Sequence, residues 1–296
     1  MSSLRRFQSD PRTLLNTALN MYRSKRIKTA VVEGVCDKRF LNQWIVPGTH
    51  IRFDGFNGKK LVESSFLGSR SKPYSEADFM YFFADVDFDG ISGVKIHDHP
   101  SFIYNAFCFD TGRTLFNDLE CYLLNTTALE KILANLDIET GSAKDLRQRL
   151  EQASRDIGAF RAADILVRRA NNLSSSVLNG LEVRAFFNEK EITVDLHALK
   201  KALPNWSNYK EYTNELIETA ERLHRESPTP WSLSRGHDVT EMLALHLESR
   251  GSFALSKDKV ELMLRLACEF SEFEKSPMAK KLSVDPHTWL ARLAGD

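Results

Sequence analysis

Four short apolar runs in the first 110 residues are separated by amphipathic stretches, and this alternation constrains the fold more than any other feature. The runs predict strands over 29–34, 50–56, 78–87 and 101–109. Apolar residues at helical spacing predict helices over 10–24 and 37–45, and another helix that begins at Gly58. Strands that alternate with helices form parallel sheets. The sequence therefore predicts an α/β fold with a mostly parallel sheet flanked by helices.

The pattern changes near residue 125, after which helical periodicity dominates. It predicts helices over 126–170, 207–224, 238–249, 257–270 and 285–294, and a loop over 172–176. The segment 181–187 fits a strand as well as a helix. We therefore expect an α/β domain over 1–125, followed by a largely α-helical domain over 126–296 that packs on it and contacts a partner or a second copy.

The composition is that of an ordinary globular protein. Hydrophobic residues make up 42% of the 296 positions, and 40 Lys or Arg residues balance 40 Asp or Glu residues. No apolar run approaches the ~18 residues of a membrane span, and the first residues lack the apolar stretch of a signal peptide. The four cysteines form no CxxC pair, which is typical of reduced thiols. We expect a cytoplasmic protein with no membrane association.

Acidic residues follow three of the predicted strands. Glu33 ends the first strand, and a DxDxD run ends the third with Asp85, Asp87 and Asp89. Asp118 and Glu120 follow the fourth. Because the carboxyl ends of parallel strands share one edge of a sheet, these carboxylates are expected to meet there. In an extended backbone, Asp85 and Asp87 would also point to the same side.

Carboxylates held side by side repel one another unless a cation lies between them, and Mg²⁺ or Mn²⁺ suits oxygen ligands. The alternative is structural, since a single acid after a strand is commonly a helix N-cap or part of a turn. The Asp89–Gly90 pair in particular fits a turn.

The segments VVEG and ADVDFDG resemble the Toprim domain, whose pattern is a Glu after the first strand and a DxD after the third. Glu33, Asp85 and Asp87 match that pattern directly. The block FNDLECYLL and the run Arg235–Asp238 resemble, more narrowly, a Toprim-related family of effector nucleases in bacterial anti-phage loci of the PARIS type. The resemblance covers residues 25–125 well and the helical half only in outline.

The resemblance implies a metal-dependent nuclease that acts as a toxic effector and hydrolyses RNA, with tRNA as the expected substrate. It also implies an ABC-type ATPase partner encoded nearby, and a homodimer when the chain is free. A DNA endonuclease of the OLD type and a non-catalytic Toprim regulatory module remain open. The scattered cysteines do not supply a primase zinc module, and no tyrosine is marked as a topoisomerase nucleophile.

We assign Glu33, Asp85 and Asp87 to metal binding and catalysis, with Glu120 as a fourth ligand. Glu33 could instead act as a general base. Weaker candidates are further acids, cations that could meet the scissile phosphate, and one histidine placed by the resemblance: Asp89, Asp118, Lys59, Lys60, Lys95 and His237.

The first 50 residues carry nine Lys or Arg and three acids, although the whole chain is neutral. Arg23, Lys25, Arg26 and Lys28 precede the strand that ends at Glu33. This basic patch is expected to contact nucleic acid or the partner protein, and a merely solvated helix face is the alternative.

Overall fold

The computed structural model describes residues 10–45, 50–94, 99–104, 116–137, 141–251 and 254–283. Contacts divide the chain into two compact units. The sheet unit contains the described residues up to Asp85, residues 99–104 and those from Phe270 onward. The helical unit contains residues 86–94 and 116–269. The boundaries between these two units differ from the domain boundary expected at residue 125. The two-domain division at that residue stays a prediction.

Strands and helices of the described residues are numbered here in chain order. The strands are β1 Lys28–Val32, β2 Ile51–Gly55, β3 Met80–Ala84, β4 Phe102–Tyr104, β5 Phe187–Asn188 and β6 Thr193–Val194. The α-helices are α1 Pro11–Lys25, α2 Val35–Asn42, α3 Lys59–Ser69, α4 Leu119–Leu124, α5 Ala128–Leu136, α6 Ala143–Ala170, α7 Leu196–Trp206, α8 Thr213–Glu226, α9 Gly236–Arg250, α10 Lys257–Ala267, α11 Phe270–Phe273 and α12 Pro277–Leu282.

A four-stranded, all-parallel sheet forms the centre of the sheet unit, with strand order β2-β1-β3-β4. The two central strands read KTAVV and MYFFA, and almost every residue in them is buried. Such continuous apolar runs are typical of parallel strands covered on both faces. The predicted α/β class, with a mostly parallel sheet and a largely helical second half, is confirmed.

Helices α1 and α3 bury their apolar sides against the sheet. Leu15 and Ala18 of α1 and Val62 of α3 share a core with Val31 and Phe82 of the central strands. Helix α1 begins where the sequence predicts. The carboxylate of its N-cap, Asp10, accepts hydrogen bonds from the N–H groups of Arg12 and Thr13, the second and third residues of the helix.

An aromatic cluster connects the end of the described chain to the sheet unit. The ring of Phe273 in α11 stacks on Trp44 at 4.8 Å between centroids and meets Phe40 of α2 edge-on at 5.2 Å. The sequence predicts a helix that runs on to residue 270, but α10 ends at Ala267 and the short α11 begins at Phe270. Helix α10 therefore belongs to the helical unit, whereas the aromatic residues of α11 belong to the sheet unit.

The 28-residue helix α6 is the longest element of the helical unit, and α8 packs along it. Leu216, Ala220 and Leu223 of α8 share a buried core with Ala159 and Ala163 of α6. Small residues at the contact allow the two helices to approach closely. Helix α6 is capped by Ser142, whose hydroxyl accepts a hydrogen bond from the N–H of Asp145.

Several predicted elements differ from the observed ones. The single helical region over 126–170 is two helices, α5 and α6, because Asp137 adopts a left-handed conformation that ends the first. The ambiguous segment 181–187 forms a 3₁₀ turn, Val183–Ala185, that leads into β5. Helix α7 was not predicted. The helix predicted over 285–294 and the second half of the strand over 101–109 lie outside the described residues.

The third predicted strand also ends earlier than expected. Pairing stops at Ala84, and Asp87 has a φ of 48°, in the left-handed region. The expectation of an extended backbone through Asp85 and Asp87 is therefore wrong. The chain turns after Asp85, and strand alternation does not apply to Asp87.

Candidate acidic site

Glu33 and Asp85 lie together at the carboxyl edge of the parallel sheet. Glu33 directly follows β1, and Asp85 directly follows β3, the strand that pairs with β1. One carboxylate oxygen of Glu33 accepts a hydrogen bond of 2.8 Å from the backbone N–H of Asp85. The contact holds the Glu33 side chain across the ends of two neighbouring strands.

The backbone around Glu33 is fixed by two adjoining segments. The loop after β2 donates two hydrogen bonds to it, from Phe56 N–H to the Val32 carbonyl and from Gly58 N–H to the Glu33 carbonyl. On the other side, the buried carboxylate of Asp37 accepts a hydrogen bond of 2.8 Å from Gly34 N–H. Hydrogen bonds thus fix the backbone on both sides of the Glu33–Gly34 peptide, at the Glu33 carbonyl and at the Gly34 N–H.

Lys59 and Lys60 open helix α3, directly after the Gly58 N–H that meets Glu33. The Lys59 ammonium lies 5.6 Å from the centre of the Tyr104 ring, at the end of β4. Lys60 is exposed. Both lysines therefore lie on a helix whose positive N-terminal end begins next to Glu33. The third lysine, Lys95, lies outside the described residues.

The basic patch lies at the other end of β1. Lys28 donates a hydrogen bond of 2.8 Å to the hydroxyl of Tyr81 and lies 3.8 Å from Asp78. Desolvation lowers the pKa of Lys28, but the Tyr81 hydroxyl and nearby charges outweigh it, so the pKa is raised. Because a strand rises about 3.3 Å per residue, Lys28 and Glu33 are separated by roughly 16 Å. One member of the basic patch, Lys28, is thus already in contact with Tyr81 and Asp78 of the same unit.

In the helical unit, Asp87 and Asp89 lie in a run of turns that begins after Asp85. The backbone N–H of Asp87 donates a hydrogen bond of 2.9 Å to the carbonyl of buried Asn117. The Asp89 carbonyl accepts hydrogen bonds from the Val94 N–H and the Ser92 hydroxyl. The turn expected at Asp89–Gly90 is present, and Asp89 is one of its structural residues.

Asp118 is the N-cap of α4 and is also bound to α9. Its carboxylate accepts hydrogen bonds from the N–H groups of Cys121, at 2.9 Å, and Gly236, at 2.6 Å. Burial raises the pKa of Asp118, these two hydrogen bonds lower it, and the negative charge of Asp87 raises it further. The net effect is a raised pKa. Asp118 thus has the capping role that the alternative interpretation gave it, and it lies within electrostatic reach of Asp87.

Glu120 belongs to a second group of titratable side chains in the same unit. Ligand-type atoms of Glu120, His237 and Glu261 all lie within 4.8 Å of one another. The two glutamates are buried, whereas the His237 side chain is about half exposed at 48%. This group, the Glu120 cluster, combines one imidazole nitrogen with carboxylate oxygens.

Protein groups already compensate part of the negative charge in the Glu120 cluster. Nδ1 of His237 lies 2.8 Å from Glu261, and the buried Arg265 guanidinium lies 4.0 Å from Glu120 and 3.9 Å from Glu261. The hydrogen bond to Glu261 raises the pKa of His237, partial burial opposes it, and nearby carboxylates add to it. Burial alone would raise the pKa of Glu261, but His237 brings it below its ordinary value.

The predicted residues fall into two sets, one in each unit. Glu33, Asp85, Lys59 and Lys60 belong to the sheet unit, and the other predicted residues that the structure describes belong to the helical unit: Asp87, Asp89, Asp118, Glu120 and His237. A single metal site that combines Glu33, Asp85, Asp87 and Glu120 stays a prediction. The carboxylate oxygens at the sheet edge are nonetheless the donor type that Mg²⁺ and Mn²⁺ prefer.

Sequence reasoning missed Glu261, a member of the Glu120 cluster, and Arg265, whose guanidinium lies beside the two glutamates. Their i, i+4 spacing on α10 looks like an ordinary surface ion pair. Only the packing of α9 and α10 buries them beside His237. Asn117 was also missed, although it directly precedes Asp118 in the FNDLE block.

No protein-family model matches the sequence, and no curated protein or solved structure matches it either. Among the described residues, every helix is too short or too polar to cross a lipid bilayer.

Proposed function

We propose that this chain is a metal-dependent nuclease of the Toprim type, which hydrolyses phosphodiester bonds of RNA, with tRNA as the preferred substrate. One observation carries the proposal. Glu33 and Asp85 meet at the carboxyl edge of a parallel sheet, where Glu33 accepts the Asp85 N–H. Ligands of open parallel sheets bind at this edge.

The donor set fits a hard divalent cation, because Glu33 and Asp85 offer carboxylate oxygens. Mg²⁺ or Mn²⁺ would be held by these two residues, with Asp87 and Glu120 as further ligands. When bound, the metal would lower the pKa of a water molecule and polarise the phosphate. The chain itself orients the Glu33 carboxylate through the Asp85 N–H, and it supplies positive charge from Lys59 and the N-terminal end of α3.

The wider role is proposed from the resemblance of the VVEG, ADVDFDG and FNDLECYLL motifs. In this proposal the chain is the toxic effector of an anti-phage system, acts in the cytoplasm, and is restrained by an ABC-type ATPase until a trigger releases it. When free it forms a homodimer. The scattered cysteines support a reducing compartment.

A non-catalytic Toprim module is the second candidate, and the helical unit favours it with a specific observation. Arg265 lies within 4.0 Å of Glu120 and 3.9 Å of Glu261, and the N–H of Gly236 binds Asp118. Protein groups there supply part of the charge compensation that a metal would otherwise give.

Cleavage of tRNA and of plasmid DNA by the purified protein, with Mg²⁺ or Mn²⁺, tests the proposal. Glu33→Gln keeps the shape of the side chain and an oxygen for the Asp85 N–H, but it removes the charge. Glu76→Gln is the matched control, because Glu76 is a half-exposed acid of the same unit. Among the described residues, its one ion pair is with Lys72, at 3.8 Å. We expect tRNA cleavage by the wild type and the control, and none by Glu33→Gln. Preferential cleavage of plasmid DNA would indicate the OLD-type alternative.

A further inference from the structure

A cavity of about 480 Å³ lies in the helical unit directly beside Asp87. Its volume is within the range of about 300–1,000 Å³ that is usual for small-ligand sites. The turn after Asp87 forms one side, with Gly90 and Ile91. Helix α8 and the segment after it form the other, with Arg222 and Pro228. None of these residues belongs to the Glu120 cluster.

Hydrogen bonds from polar side chains, of which Arg155 and Asn117 are buried, hold the segments that form this cavity. Arg155 donates hydrogen bonds to the carbonyls of Ser227 and Thr229, and Asn117 donates to the carbonyl of Ser232 at 2.8 Å. Next to the turn that contributes Gly90 and Ile91, the exposed Arg169 donates a hydrogen bond of 2.9 Å to the carbonyl of Ser92. The cavity is therefore preformed, and a ligand would bind without a large cost for ordering these segments.

The chemistry of the lining favours a flat heterocycle with a polar edge. Ile91, Leu166 and Pro228 provide apolar sides, and polar groups stand at the ends. The charged side chains are those of Asp87, Glu226 and Arg222, and the Arg222 guanidinium donates a hydrogen bond of 3.0 Å to the Glu226 carboxylate. This balance disfavours a free phosphate, which requires excess positive charge. It suits a nucleobase, whose amino groups donate to carboxylates and whose ring atoms accept from Arg.

We infer that this cavity, the Asp87 pocket, binds the base of one unpaired nucleotide next to the phosphodiester bond that is cut. The inference rests on the proposed nuclease function, which places Asp87 at the scissile phosphate. A base within a duplex has its polar edge occupied by its partner and its faces covered by stacking. Only an unpaired or extruded base can enter such a pocket. The Asp87 pocket would thus select single-stranded segments and loops of a folded RNA.

The structure offers a substitution that adds bulk at the wall of the Asp87 pocket without backbone strain. A Cβ atom on Gly90 would meet no atom within 4 Å, and the φ of Gly90 is not in the left-handed region. Because Gly90 lines the cavity, Gly90→Phe should fold normally and add an aromatic ring at the cavity wall. Ala185→Phe is the matched control, because Ala185 is an exposed residue of the same unit that does not line the pocket. Arg222→Gln removes the guanidinium from an exposed position and is a second, independent probe.

The test is fluorescence anisotropy with a labelled single-stranded RNA hexamer and a blunt RNA duplex, in EDTA so that no metal-dependent cleavage occurs. We expect the hexamer to bind more tightly than the duplex, and Gly90→Phe to weaken hexamer binding about tenfold, the loss typical of one base contact. Arg222→Gln should weaken it in the same direction, and Ala185→Phe should not. Equal hexamer affinity for Gly90→Phe and Ala185→Phe would overturn the inference.

A separate cleavage assay with Mn²⁺ distinguishes failure of the inference from failure of the proposed function. If the protein cuts no nucleic acid, but Gly90→Phe still loses affinity for the hexamer, the Asp87 pocket stands and the nuclease proposal fails. If the protein cuts RNA and Gly90→Phe changes neither affinity nor the choice of cleavage sites, the pocket assignment is wrong and the nuclease proposal stands.

Discussion

Replacement of Gly236 by alanine should destabilise the helical unit at the point where α9 begins against the FNDLE block. The N–H of Gly236 donates a 2.6 Å hydrogen bond to the buried carboxylate of Asp118. A Cβ atom at this position would overlap that carboxylate, and it would lie 2.8 Å from Asp118 Cγ and 2.5 Å from Glu120 Cβ. Carbon atoms in contact are normally about 3.5–4.0 Å apart, so the start of α9 must move away by about 1 Å or more.

The expected cost combines two terms. Overpacking of a well-packed interior costs about 1–3 kcal/mol, and loss of a hydrogen bond to a buried acid costs about 1–3 kcal/mol. The higher helix propensity of alanine offsets less than about 1 kcal/mol. We therefore expect Gly236→Ala to lower the free energy of unfolding by about 2–4 kcal/mol.

Urea denaturation followed by circular dichroism measures this loss. Gly90→Ala is the control, because a Cβ there meets nothing within 4 Å, and it should change stability by less than about 0.5 kcal/mol. Hydrogen exchange should also show faster exchange of the amides of α4 and of the first turn of α9 in Gly236→Ala. If Gly236→Ala is as stable as the control, the close approach of α9 to Asp118 and Glu120 is not as described.

Four further outcomes are expected. Ser142→Ala should destabilise α6 by about 1 kcal/mol in urea denaturation, whereas Ser142→Thr retains the cap. Arg155→Met should cost about 3–5 kcal/mol, because it removes a buried guanidinium and leaves the largely buried carboxylate of Glu151 without that partner. NMR titration should show the His237 ring titrating above pH 6.5 in the wild type and closer to pH 6.5 in Glu261→Gln. The stabilisation from the His237–Glu261 pair is complete between pH 4.5 and 6.5. It fades as the pH rises through the raised pKa of His237 or falls through the lowered pKa of Glu261. Expression of the wild type without its partner should arrest bacterial growth, and Glu33→Ala should not.

The sheet could be predicted from the sequence because its central strands are continuous apolar runs, and Asp10 with Pro11 predicts the start of α1. Local signals also place Glu33 and Asp85 at the carboxyl ends of two predicted strands of a mostly parallel sheet. The geometry beyond Asp85 could not be predicted in this way. Asp87 lies in the left-handed region, and its N–H donates a hydrogen bond to the carbonyl of Asn117, a residue 30 positions later.

The Glu120 cluster could not be predicted from local sequence signals either. Glu261 and Arg265 come from a helix more than 130 residues after Glu120, and nothing in their own sequence context distinguishes them from a surface pair. Their burial arises from the packing of α10 against α4 and α9. Periodicity and strand-end acids report local structure, whereas such clusters depend on long-range packing.

The dependence of cleavage on Mn²⁺ concentration tests most directly whether the Glu33–Asp85 edge is a metal-dependent catalytic site. The rate of tRNA cleavage should be measured across a Mn²⁺ titration for the wild type, Glu33→Gln and the control Glu76→Gln. We predict no cleavage in EDTA, saturable activation by Mn²⁺ in the wild type and in Glu76→Gln, and loss of cleavage in Glu33→Gln at every concentration. Cleavage by the purified wild type that persists in EDTA, or that is unchanged in Glu33→Gln, would contradict the account.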